Sequence, residues 1–378
     1  MPARKKQHYV PRFYLKNFSN SLEGKSIGIF NIETEKFIPA GNLRGQAYKD
    51  YFYGKDGKLE DALGRIEGSA SKIINNIIES KTYPVKDSEE HIIILTFTIF
   101  LQTRTQYAVD QGNEMADKIF KTIFYKDERL KDSVDDIKIN IRNAPQNILG
   151  IAAMCIPITF DLSYKILYNK CNVGLLTSDN PVVFYNQFLE SRKTIGSNVG
   201  FSTKGLQIFL PISPLFAIIF YDGGVYAVGN KKDKIIELHN DSDITQLNCL
   251  QILNSNENVY FNESLSQKHI IDMFRRIKKN RRKAKAFVHE YPGQIEQDGR
   301  MRSLILSHGH DIRIGLNLSF IRVIKRAKKY EVGNKAVHIR NERMHAIQSD
   351  FIDLVNRGIY APNQFMSFLK DRGIRPST

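Results

Sequence analysis

The 378-residue chain has no tryptophan and only three cysteines, Cys155, Cys171 and Cys249, none close enough to another to suggest a pair. That argues against a disulfide framework and a zinc ribbon, and fits a reducing compartment. Long hydrophobic runs are missing as well. The longest, residues 148–160, covers 13 positions with Pro157 inside it. A bilayer needs roughly 20 such residues, so the run reads as buried core. Residues 1–7 are polar and basic, with no apolar segment behind them, so no signal peptide, no membrane association and a cytoplasmic protein are expected. The sequence holds no phosphate-binding Gly-rich loop, dinucleotide fingerprint, nucleophile elbow or kinase motif set. No cofactor is therefore implied.

What is present is uneven charge. The net charge is +15, yet residues 270–378 hold 23 Lys+Arg against 10 Asp+Glu, so +13, while residues 1–269 hold 32 against 30, so +2. A localised basic excess is the electrostatic footprint of a polyanion partner, although a solvated surface could have the same composition. The densest part is RRIKKNRRKAK from Arg275, with eight of eleven residues positive. Phosphates would relieve that self-repulsion. Arg275, Arg276, Lys278, Lys279, Arg281 and Arg282 are accordingly the candidate contacts to nucleic acid, RNA or DNA.

Periodicity predicts an α+β fold: N-terminal strands and buried helices, then an antiparallel β-rich half, then a basic helical C-terminal region. Strands are expected at 26–32, 36–39 and 47–53. Leu59, Leu63, Ile66, Ala70, Ile73 and Ile77 recur at helical spacing over 59–78. Glu60 and Glu67 stack beside that stripe, two turns apart, either as a carboxylate pair at a core margin or as two solvated side chains. A second helix starts near Asp87, with Asp87 and Glu90 in capping-box positions, and is apolar almost all round over 92–101 before continuing to 124. Residues 125–144 form an exposed connection, and 145–160 a core helix broken near Pro157. In the second half, 173–177 reads as a strand and Ser178-Asp179-Asn180-Pro181 as a turn, with Asp179 and Asn180 either bonding their own backbone or facing a cleft. Further strands are expected at 205–211, 215–221, 225–228 (a hairpin through Asp222-Gly223-Gly224), 250–254 and 259–262. Helices follow at 265–285, 343–356 and 363–372.

The stretch QHYVPRFYLKNFS, Gln7 to Ser19, sets His8 and Arg12 among Tyr9, Phe13, Leu15 and Phe18. Pro11 favours an extended arm before a short helical turn. An arginine drawn inward by apolar neighbours needs an acceptor, and His8 is easily tuned near neutral pH. The pair either lines a site for an anionic group or belongs to a packed arm with Arg12 on a carboxylate. Gln102 and Arg104, at the end of the most apolar helix, are a second polar insertion that must be satisfied.

Three later segments accompany this opening: LQTRT at 101–105, TSDNPVV at 177–183 and LPISP at 210–214. Together they resemble the bacterial domain-of-unknown-function family 4238, over about residues 7–291. The resemblance implies a phage-defence context, with a possible phage-derived trigger, and no mechanism. Within it, Glu67 is the expected partner of Arg12. The chain then divides into a family-like domain, 1–291, and a basic extension, 292–378, that binds nucleic acid or a partner.

The expected function is a defence effector acting on nucleic acid as a metal-independent ribonuclease or phosphodiesterase. His8, Arg12, Glu67, Gln102, Arg104 and Asp179 are its candidate catalytic residues. His8 would move protons with Glu67 or Asp179 as counterpart, and Arg12 and Arg104 would hold the phosphate. The alternatives are a non-enzymatic nucleic-acid-binding or phage-sensing protein, and an enzyme acting on a small phosphorylated metabolite. SHGHDIR at 307–313 approximates a His-x-His-x-Asp-His metal motif, but Asp311 comes one place early and Arg313 stands where a histidine is needed. No metal is assigned.

Overall fold

Strands of alternating allegiance place the two main cores. The structure, a computed structural model, describes residues 5–20, 24–192, 194–281, 284–295, 301–333, 337–361 and 364–374. A five-stranded sheet runs in the order Ile235–Leu238, Ser163–Asn169, Phe216–Tyr221, Gln207–Pro211, Val183–Tyr185. The first pair is parallel and the rest antiparallel. Successive side chains of a strand face opposite sides. Ile218 and Phe220 therefore enter one core, and Ala217, Ile219 and Tyr221 the other. Burial on both faces explains why FAIIFY and QIFLP are continuous apolar runs.

A second sheet is antiparallel throughout, in the order Phe37–Asn42, Ser26–Asn31, Asn258–Phe261, Thr177–Ser178. Gly28 is required there: a Cβ would lie 2.3 Å from the Phe261 ring. The helices Lys58–Ser80, Glu89–Thr103 and Ala144–Cys155 contribute Ile74, Ile94, Leu95, Ile99 and Ala152 to the first core. The α+β class is as expected.

Several elements differ from the sequence expectation. The helix read from 87 to 124 is two, Glu89–Thr103 and Gln106–Phe124, meeting at 57°. Ser88, rather than Asp87, caps the first by accepting from the His91 N–H, and Thr105 caps the second by accepting from Ala108. LQTRT is thus a corner. Residues 250–254 end the helix Asp241–Asn254, which is buried on most sides. A short apolar run of that kind cannot be told from a strand by period. The strand Tyr226–Val228 pairs with Ile321–Val323 and not with its predicted hairpin neighbour. Of 47–53 only Tyr48–Asp50 is extended, held by Lys6–His8; of 173–177 only Thr177 is in a strand. The basic helix, expected to 285, is Gln267–Ile277 followed by one 3-10 turn. The sequence expectation lacked the strands Ser163–Asn169, Ile235–Leu238 and Ile321–Val323 and the hairpin Ala286–Ile295 with Met301–Gly309.

The tail helices are Glu342–Asn356 and Phe365–Asp371. Met344, Phe351, Phe365 and Phe368 share one core with Val10 and Tyr14 of the N-terminal arm. Among the described residues no single helix is long and apolar enough to cross a membrane; only the bent pair Glu89–Thr103 with Gln106–Phe124 reaches that length and composition together.

Candidate functional site

The four segments QHYVPRFYLKNFS, LQTRT, TSDNPVV and LPISP meet in one hydrogen-bonded network. Tyr14, fully buried on the helix Arg12–Lys16, donates its hydroxyl to the Pro211 carbonyl at 2.6 Å and lies 2.7 Å from Thr177 Oγ1. Thr105 Oγ1, at the helix corner, donates to Asn180 Oδ1 at 3.2 Å. Arg104 is 3% exposed and uses all three guanidinium nitrogens. Nη1 meets Glu67 Oε1 at 2.6 Å, Nη2 meets the His8 carbonyl at 2.8 Å, and Nε meets the Tyr53 hydroxyl at 2.8 Å. Burial opposes its charge, but Tyr53 and Glu67 outweigh that and raise its pKa. Burial likewise pushes Tyr53 up to about 12.

One turn-pair along the same helix, Glu60 Oε2 accepts from Gln7 Nε2 at 3.3 Å, and Gln7 Oε1 accepts from the Tyr53 N–H at 2.6 Å. Both glutamates of the stacked pair therefore hold the arm.

Of the six candidate catalytic residues, Arg104 joins Glu67 and the His8 backbone, whereas Arg12, Gln102 and Asp179 take no part in that contact. Glu67 pairs with Arg104 and not with Arg12. Arg12 and Lys16, one turn apart, share the exposed side of their short helix, of which only Tyr14 and Leu15 are buried. His8 is half-buried, with Nε2 3.4 Å from the Arg44 carbonyl and its ring 5.6 Å from that of Tyr48. Burial lowers its pKa; the Arg44 carbonyl opposes this, while nearby Arg12, Arg104 and Lys6 reinforce it.

Asp179 makes no Asx turn. Its carboxylate accepts from the N–H groups of Asn256, Glu257 and Asn258 at 2.7, 2.8 and 3.0 Å. From the other side Arg281 donates to the carbonyls of Ile252, Ser255 and Asn256 at 3.3, 2.9 and 2.9 Å. The two side chains clamp the turn that leads into the strand Asn258–Phe261. Arg275, Arg276, Lys278 and Lys279 are exposed, and Lys278 lies 3.5 Å from Glu35. Arg282 lies outside the described residues.

Asp179 carries a pH prediction. Burial pushes its pKa up to about 6 in spite of the three N–H bonds, and Glu257 adds repulsion. In the unfolded chain an aspartate titrates near ~4. Between those values the folded state holds the extra proton, so this contribution to stability is complete below pH ~4 and is lost as pH rises through ~6, on the order of 2–3 kcal/mol. Asp179→Asn removes the titration and is itself destabilising, because an amide N–H replaces one acceptor. The difference in unfolding free energy between wild type and variant should shrink from pH 4 to pH 7; a constant difference would refute the assignment.

Gln102 lines a cavity of about 480 Å³ together with Tyr107, Asn180, Asn254, His308 and His310, against apolar walls that include Ile148, Val182 and Phe201. Asn180 is fixed there by Thr105 and by reciprocal bonds with Asn254, 2.9 Å to its carbonyl and 2.5 Å from its amide. Among the described residues the Gln102 amide has no hydrogen-bond partner, so it is available to an occupant. Burial raises the Tyr107 pKa to about 12, against the opposing pull of Arg281.

A second, open cleft of about 640 Å³ shares His308 and His310 with this cavity and adds Lys279, Phe287, His289 and Arg313. Phe287 stands directly across the hairpin from His308, with rings 5.4 Å apart, and His289 stacks on His308 at 5.7 Å. His308 Nδ1 lies 2.7 Å from the Gly309 carbonyl. That contact requires the proton on Nδ1 and leaves the Nε2 lone pair free in the neutral ring. Asp311 accepts from Ser197 Oγ at 2.8 Å and from the Asn198 N–H at 2.7 Å, so it anchors a loop. Among the described residues no three His, Cys, Asp or Glu side chains are grouped as a metal would need. The sequence reading missed His289, Tyr107 and Asn254. The signal for the cleft was the His308–His310 spacing, which sets two rings on one side of an extended segment.

A family model described as protein of unknown function, DUF4238, matches residues 6–264. No curated protein and no solved structure matches the chain.

Proposed function

The chain belongs to the DUF4238 family, and from that premise we propose a defence effector that cleaves RNA without needing a metal, at the cleft shared by His308 and His310. The observation that carries this reading is the joining of two unlike spaces. One is flanked by Lys279 and Arg313 and lined by three histidines; the other is an apolar-walled cavity with the free Gln102 amide. A nucleotide has the same two halves. Its base would enter the cavity against Tyr107 and bond Gln102, and its phosphate would lie among the histidines.

The chemistry then follows from the imidazoles. His308 Nε2 takes the proton of the ribose 2′-hydroxyl. The 2′ oxygen attacks phosphorus, the bond from phosphorus to the 5′ oxygen breaks, and a 2′,3′-cyclic phosphate forms. His310 gives its proton to the departing 5′ oxygen. Lys279 and Arg313 offset the charge that develops on the phosphoryl oxygens. His8 has no place in this cleft, and Arg104 acts by holding the fold.

The test is incubation with total RNA, tRNA and plasmid DNA, with and without chelator. RNA should be cut with chelator present and DNA left intact, since DNA has no 2′ nucleophile. His308→Ala should cut RNA about 10²–10⁴-fold more slowly. Equal rates in wild type and variant would end this assignment. The exposed Arg275, Arg276, Lys278 and Lys279 favour one second reading, non-enzymatic binding; RNA retained in a salt-dependent manner and never cut would support it.

A further inference from the structure

A third cavity, about 480 Å³, opens where Ser163–Lys165 meets Tyr221, walled by the paired segments Tyr226–Val228 and Ile321–Val323. Among the described residues it shares no lining residue with the histidine cleft or the Gln102 cavity. Its lining includes Lys86, Lys165, Lys231, Lys234 and Arg322 and, among the described residues, no carboxylate. Like charges gathered on one concave surface repel and focus a positive potential into it.

The partners of these cations sharpen the picture. Lys86 is occupied by Asp87 at 3.1 Å and by the Phe160 carbonyl. Lys165 is 5% exposed, and among the described residues its ammonium is hydrogen-bonded by the carbonyls of Asn230, at 3.0 Å, and Asp233, with the exposed Asp233 carboxylate a more distant counter-charge. Carbonyls orient a buried ammonium without neutralising it. Lys231, Lys234 and Arg322 are exposed, and among the described residues none of them forms an ion pair. Tyr221 is 7% exposed, and among the described residues its hydroxyl has no hydrogen-bond partner. That hydroxyl borders the open space of the cavity and can donate to an acceptor on a ligand.

We propose that this cavity binds a small polyanion carrying a pyrophosphate unit. Lys231, Lys234 and Arg322 take the outer phosphate oxygens, and Lys165 and Tyr221 face the inner ones. Arg322 can engage two oxygens at once. The volume suits a molecule no larger than a nucleoside polyphosphate. The proposal does not depend on RNA cleavage at the histidine cleft, because no residue is common to the two.

The experiment is calorimetric titration of the full chain with pyrophosphate, ATP and orthophosphate at low salt. Pyrophosphate and ATP should bind, and orthophosphate far more weakly. Comparable affinity for the first two identifies the pyrophosphate unit as the ligand, and clear preference for ATP adds contacts from its nucleoside. Lys234→Glu/Arg322→Glu, at two exposed positions, should weaken pyrophosphate by about tenfold or more, with unchanged thermal unfolding. The milder Lys234→Gln should show a smaller loss in the same direction. Lys279→Glu/Arg313→Glu should leave pyrophosphate affinity within about twofold. No heat from pyrophosphate or ATP at millimolar concentration would overturn the proposal. So would a loss that follows the Lys279/Arg313 variant in place of the Lys234/Arg322 one.

Discussion

Arg104→Met is expected to lower the unfolding free energy by about 3–5 kcal/mol, because it strands the partners of a buried cation. Three acceptors each lose a charged donor at once: Glu67 Oε1, the His8 carbonyl and the Tyr53 hydroxyl. Glu67 keeps 25% of its side chain exposed and can recover some hydration, whereas the Arg104 side chain is only 4% exposed. The stranded carboxylate is therefore partly relieved, and the enclosed His8 carbonyl keeps only the Tyr53 hydroxyl, at 3.4 Å. The double variant Arg104→Met/Glu67→Leu should regain a good part of the loss, since an apolar pair of similar volume leaves no charge behind. Urea unfolding checks this through midpoint shifts at constant slope. A shift below about 1 kcal/mol for the single variant would place Arg104 among ordinary surface ion pairs. The consequence for activity is direct. Arg104 ties the arm to the helix corner beside Asn180, so any loss of RNA cleavage on its replacement must be compared with loss of folding before it is assigned to chemistry.

Much of this network was legible in outline. The heptad separation of Glu60 and Glu67 placed them on one margin of the helix, and the polar end of an otherwise apolar helix marked Arg104 as satisfied by something. Which partner each would take was not legible. Choosing between Arg12 and Arg104 for Glu67 needs the rotational phase of a five-residue helix, Arg12–Lys16, and so short an element carries no period. The corner at Thr105 had a local signal, a capping threonine, but apolar residues recur on both sides of it and mask the break. The strand Ser163–Asn169 hid for a related reason: Lys165 is almost fully buried in it, where alternation would have placed a solvent-facing residue. The histidine cleft depends on the hairpin of Ala286–Ile295, whose sequence includes Pro292 and Gly293. Both residues argue against a strand when only propensity is weighed. The cleft itself comes from tertiary pairing, which sets Phe287 opposite His308 and brings Gln111 and Lys118 of a distant helix onto the Lys285 and Ala286 carbonyls.

Arg340→Ala should be as damaging as the Arg104 change, about 3–5 kcal/mol, and it bears on how the C-terminal third relates to the rest. All five guanidinium hydrogens are engaged. Nε and Nη2 form a two-pronged contact with Asp161 at 2.9 and 2.7 Å, Nη2 also meets the Ile158 carbonyl at 2.7 Å, and Nη1 meets the carbonyls of Phe201 and Thr203 at 3.1 Å each. The side chains of Arg340 and Asp161 are 5% and 10% exposed, so alanine would leave a largely buried carboxylate without its cation. Lysine at this position keeps the charge but cannot reproduce the fork, and should recover only part of the loss. Beyond Arg340, the helix Glu342–Asn356 inserts Met344 and Phe351 into the core that Val10 and Tyr14 also occupy. If the residues after 291 were an appended unit, Arg340→Ala would melt the tail alone and leave a second, unshifted transition. With the core shared, one cooperative transition should move to lower denaturant, followed identically by tyrosine fluorescence and far-UV circular dichroism. Two separated transitions would restore the picture of an independent basic extension, and would free the 15 Lys+Arg of residues 292–378 to act on nucleic acid apart from the histidine cleft.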